Sequence, residues 1–151
     1  MTDLPAVRWL LRLLLNPGWA PLAVVVLHLV LAGYGLTQRL DHLLHFLGGA
    51  SIAYFFLGLF ASLPAARSPS WVLYLLTFAW ACTIAVFWEF AEFASDQFRG
   101  TAIQQSVPET MLDLLFGVLG ALTTLAGAGL LSLLRGRRTT PGNAGVPPAS
   151  G

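Results

Sequence analysis

A chain of 151 residues with 56% hydrophobic and only 10% charged residues cannot cover a water-facing surface, because soluble domains carry roughly 25% charged residues. Its formal charge of +1 argues against a nucleic-acid binder, which needs a concentrated basic face. The single cysteine, Cys82, can form neither an intrachain disulfide nor a thiolate metal site. These features predict a single-domain, all-α polytopic membrane bundle, with lipid as the main solvent.

Residues 6–15 carry Arg8 and Arg12 one turn apart on an apolar segment. Ten residues are too short for the roughly 30 Å hydrocarbon core, so this segment predicts a short interfacial helix, ended by Asn16-Pro17-Gly18. The first span is expected at 19–37, apolar except for His28. Val30-Leu31-Ala32 also fits a signal-peptide cleavage pattern, but the segment reads as a membrane anchor. The second span is expected at 42–63 and the third, rich in aromatics, at 71–94. Ser106-Val107-Pro108-Glu109 has the form of a capping box and opens a fourth span at 107–134. Gly117, Gly120, Gly127 and Gly129 lie on that span as small residues suited to close helix approach in lipid. The transmembrane domain is thus bounded at 1–138, and the Pro/Gly/Ala/Ser tail at 139–151 is expected to be disordered.

All eight basic residues are arginine. With four spans, Arg8, Arg12, Arg67, Arg135, Arg137 and Arg138 fall on one side, and Arg39 and Arg99 on the other. The positive-inside rule then puts both termini in the cytoplasm.

On this topology Asp41, His42 and His45 start span two, Glu89, Glu92 and Asp96 end span three, and Glu109 and Asp113 start span four. Of the seven acidic residues only Asp3 lies elsewhere, so sequence-distant segments converge on one membrane face. His42/His45 and Glu89/Glu92 are three apart; Glu92/Asp96 and Glu109/Asp113 are four apart. Each pair therefore shares a helix face. The carboxylates outnumber Arg39 and Arg99, and unpaired charge deep in a span is costly, roughly 2.5–3.5 kcal/mol on insertion scales. Protons, water or an imported cation must relieve it. Imidazole and carboxylate ligands without thiolate suit Mn, Fe or Zn. Structural alternatives stand beside this reading. Asp41 fits a helix cap, Glu109 its capping box, Asp96 a loop pair with Arg99, and His42 an interfacial position. Glu89, Glu92, His45 and Asp113 lie too deep for such roles, whereas His28 reads as a packing residue.

Three segments carry a family resemblance: Asp41-His42-Leu43-Leu44-His45-Phe46-Leu47-Gly48-Gly49, Trp88-Glu89-Phe90-Ala91-Glu92-Phe93 and Glu109-Thr110-Met111-Leu112-Asp113. Together they resemble YjdF-like bacterial inner-membrane proteins and, more distantly, VanZ-like proteins associated with glycopeptide-antibiotic tolerance. The resemblance covers about residues 38–125. It implies a multi-pass architecture, with Asp41, His45, Glu89, Glu92 and Asp113 on motif positions and Glu109 where the pattern has Asp.

The leading expectation is an extracytoplasmic divalent-metal pocket. His45, Glu89, Glu92 and Asp113 would be ligands, and His42, Asp41, Asp96 and Glu109 would be outer or second-metal ligands. Such a metal could serve hydrolysis of an envelope substrate. A proton- or cation-coupled transporter, and an accessory subunit whose acids dock a partner membrane protein or a second copy, stand as alternatives. No Gly-x-Ser-x-Gly element and no Walker-type glycine loop supports a soluble hydrolase or nucleotide-binding reading.

Overall fold

A computed structural model describes residues 4–63 and 69–138; the tail expected at 139–151 lies outside the described residues. The described residues form five helices, α1 (Leu4–Leu15), α2 (Trp19–Gly33), α3 (Thr37–Ser62), α4 (Ser70–Arg99) and α5 (Val107–Arg138), and no strand. Three of them, α3, α4 and α5, are long and apolar enough to cross a membrane. With 15 residues, α2 is about 22 Å long at 1.5 Å per residue, short of a roughly 30 Å hydrocarbon core.

The turn between α2 and α3 sets the register of everything below it. Gly35 has φ +68°, a left-handed conformation that glycine adopts without steric cost. The Leu36 amide donates to Leu31 O at 2.9 Å and the Gly35 amide to Ala32 O at 3.0 Å, the paired bonds of a Schellman C-cap. The cap ends α2 at Gly33, before the expected boundary at 37. It lets α3 begin at Thr37 instead of 42, which carries Asp41 into the helix interior.

Side chains show which way each helix runs. Trp19 meets Tyr54 edge to face, and Pro17 packs where a Cβ on Gly58 would stand, so α2 runs antiparallel along α3. By contrast, α3 and α5 run in the same direction with touching backbones. A Cβ on Gly49 would overlap the Gly117 carbonyl, and one on Gly120 would overlap the Phe46 carbonyl. Thr124 Oγ1 donates to Ala50 O at 3.2 Å across the same seam. Ala53 and Ala121 continue it without exposure. Small residues are what permit such approach in lipid, where van der Waals packing replaces the hydrophobic drive.

The distribution of side chains is inverted relative to a soluble protein. Leu22, Trp71, Phe87, Phe90, Leu130 and Leu133 are exposed, whereas Asp41, Ser51, Thr77, Glu89, Glu92 and Asp113 are buried. That arrangement is stable only if the outer surface meets hydrocarbon.

Candidate functional site

The site is centred on His45, whose side chain is only 8% exposed. Its imidazole faces one carboxylate from each of the three long helices. Nε2 lies 3.5 Å from Asp41 Oδ1 on α3 and 3.9 Å from Asp113 Oδ1 on α5. Nδ1 lies 3.6 Å from Glu89 Oε1 on α4. Helical geometry explains the meeting. Asp41 and His45 are four apart and so stack on one face. The seam of Gly49 against Gly117 holds α3 and α5 together one turn beyond His45 and Asp113. The N-termini of α3 and α5 both point toward this end, and their partial positive charge favours carboxylates near the first turns.

Two sets of ligand-type atoms share His45: Asp41, His45 and Asp113, and His45, Glu89 and Glu92, with the atoms of each set within 4.8 Å of one another. The surroundings satisfy only part of them. Trp88 Nε1 donates to Glu92 Oε1 at 2.7 Å. Gln104 Nε2 donates to Glu89 Oε2 at 3.3 Å and to Glu89 O at 3.2 Å. Glu89 Oε1 and Asp113 Oδ1, two of the three carboxylate oxygens that face His45, are buried without a hydrogen-bond partner. A buried, unpaired carboxylate oxygen is expensive, and among the described residues the only ion-pair partner of these two atoms is the His45 imidazole.

The remaining expected residues separate into two places. His42 Nε2 stands 3.8 Å from Glu109 Oε1, and its ring packs edge-on against Phe116, beside the central cluster but outside both sets. The Glu109 amide donates to Ser106 Oγ at 3.3 Å, so this residue also takes part in the cap of α5. Asp96 is held apart. It accepts hydrogen bonds from Thr101 Oγ1 at 2.6 Å and from the Ile103 and Gln104 amides, both at 2.9 Å. Those bonds fold the 100–106 loop back over the end of α4; the loop, not Arg99, satisfies this carboxylate. Asp41 caps nothing: the residue before α3 is Leu36, with no side-chain cap.

Two contributors escape sequence reasoning. Trp88 and Gln104 fix the outer oxygens of Glu92 and Glu89, but a tryptophan in an aromatic stripe and a glutamine in a polar loop carry no periodic signal. His28 contacts Trp88 edge to face at 5.4 Å and borders the site from α2. A family model described as "Predicted membrane protein (DUF2238)" matches residues 22–133, which contain the whole cluster. No curated protein and no solved structure gives a match.

Proposed function

The chain belongs to the DUF2238 family of predicted membrane proteins, and from that premise we propose that its buried imidazole–carboxylate cluster is a divalent-cation pocket at the extracytoplasmic face of a bacterial inner membrane. One observation carries the reading: two buried carboxylate oxygens, Glu89 Oε1 and Asp113 Oδ1, converge on His45 with no hydrogen-bond partner. A positive guest answers that arrangement directly. The donor set of imidazole nitrogen and carboxylate oxygen suits Mn, Fe or Zn.

Distances favour one of the two sets. Ligands held at roughly 2.0–2.2 Å from one zinc-like centre lie about 3–4 Å from each other, and His45 Nε2 stands 3.5 Å and 3.9 Å from its Asp41 and Asp113 oxygens. An ion there would leave the Nδ1 side of the ring facing Glu89 Oε1 at 3.6 Å, the position of the carboxylate in a carboxylate–histidine–metal arrangement, which fixes a ring's tautomer and raises its basicity. Glu92, already bonded to Trp88, then supports the pocket from outside. A cation with an open position would lower the pKa of bound water and serve hydrolysis of a lipid-linked or envelope substrate. The extracytoplasmic placement follows the arginine asymmetry. The three segments that resemble motifs of YjdF-like and, more distantly, VanZ-like proteins are the same segments that build the pocket.

The test is metal analysis of purified protein exposed to Mn, Fe or Zn, with Glu89→Ala and Asp113→Ala beside it. Stoichiometric metal in the wild type, lost in Asp113→Ala and weakened in Glu89→Ala, supports the pocket. Equal content in all three removes it. So does a wild type that takes up no metal and only exchanges protons.

A further inference from the structure

Two cavities meet at one pair of rings. An apolar groove of about 280 Å³ runs between α2 and α4 over a floor of α3, walled by Val24, Val25, Ile52, Ile84 and Ala85. A cleft of about 510 Å³ lies toward the loops, against Gln38, Asp41, Glu92 and Ser95. His28 and Trp88 border both. His45 reaches the groove and Asp41 reaches the cleft. The imidazole–carboxylate cluster therefore stands where an apolar space joins a polar one.

We infer that the groove between α2 and α4 receives the hydrocarbon chain of a phosphate-headed lipid, whose head group lies in the cleft beside Asp41. The head-group half rests on the cation pocket proposed above, since an ion is what would draw a phosphate toward these acids. The seat of the chain rests on the groove alone.

Its size and setting choose the occupant. The walls are apolar and lie along helices long and apolar enough to cross a membrane, where the surrounding medium is hydrocarbon and a lipid chain is the occupant at hand. An apolar cavity of about 150 Å³ already binds benzene, and the larger groove suits a flexible chain. The groove opens within the apolar length of the helices. Packing of α2 is mainly along α3, which leaves its α4 side open below the His28–Trp88 contact. Gly48 lines the groove, and a Cβ there would meet nothing within 4 Å. The space beside it is free, not merely loosely packed.

That glycine supplies the experiment. Wild-type and Gly48→Leu proteins are placed in phosphatidylcholine vesicles doped with phosphatidylglycerol carrying a diazirine at its chain end, irradiated, and mapped by peptide mass spectrometry. Metal content is measured on the same samples. Wild-type label is expected on Val24, Val25, Ile52 or Ile84. Gly48→Leu should lose it at least several-fold while keeping label on the outward Phe87 and Phe90, and keeping its metal. Val25→Trp fills the groove from the opposite wall and takes the place of Gly48→Leu if that variant fails to fold. Groove label that is absent, or equal in wild type and filled variant, overturns the inference. So does a photo-reactive side chain at position 84 that links two copies of the chain instead of lipid. Metal without groove label sinks the inference and leaves the pocket standing. Groove label without metal supports the chain seat and sinks the pocket, with the head-group half falling alongside it.

Discussion

His45 is the residue on which three helices agree. It stands within 3.9 Å of carboxylates from α3, α4 and α5, so its removal leaves buried acids facing one another. His45→Ala is expected to reduce bound metal to background, read by elemental analysis, whereas Trp88→Phe should retain metal. The latter loses the 2.7 Å bond to Glu92, a hydrogen bond to a carboxylate worth about 1–3 kcal/mol, measurable as a lowered unfolding midpoint in mixed micelles. Acidification has a defined sign. Metal ligands must shed protons to bind, so affinity falls as pH falls; lowering the pH from about 7.5 to about 5 should release the ion without unfolding. Metal content unchanged over that range would contradict a carboxylate–imidazole site. The pairing of Glu89 with Glu92 is legible from spacing alone, because helical periodicity is a local property. Asp41 is different. Its role as cap or cluster member turns on whether α3 starts at 37 or 42, and the C-cap turn at Gly35, a backbone conformation that spacing does not reveal, decides that.

At the scale of elements, the decisive contact is the parallel seam of α3 and α5. Gly49→Ala would drive a methyl into the Gly117 carbonyl. Overpacking of this kind costs about 1–3 kcal/mol, and because the seam lies one turn from His45 and Asp113, metal affinity should fall with it. Gly127→Ala is the control. Nothing lies within 4 Å of a Cβ there, and replacing a mid-helix glycine gains about 0.5–1 kcal/mol of helix stability. Thermal shift with and without metal separates the two; equal behaviour would mean the seam does not set the site. The sequence marks Gly117, Gly120, Gly127 and Gly129 as equivalent small residues. Only Gly117 and Gly120 lie on the α3 seam, because the rotation of α5 about its axis depends on its partner and not on its own composition.

Across the whole molecule, buried acids and exposed leucines, phenylalanines and tryptophans describe a protein whose surface meets lipid. The arginine asymmetry then predicts which end faces outward. In a Cys82→Ser background, Ile103→Cys in the 100–106 loop should react with a membrane-impermeant maleimide added to intact spheroplasts. Ser70→Cys at the opposite end should react only after the membrane is opened. The reverse pattern would place the cluster toward the cytoplasm and overturn the extracytoplasmic half of the proposal.

Composition and periodicity alone determined the solvent, the all-helical class, the approximate apolar segments and the gathering of acids and imidazoles at one end. Each of these follows from short-range rules of hydropathy and chain reversal. Which side chains touch was decided only by the packed structure. The glycine seam brought Asp113 to His45, and the folded 100–106 loop took Asp96 away while delivering Gln104. Register and helix rotation are properties of pairs of helices, and no single segment carries them.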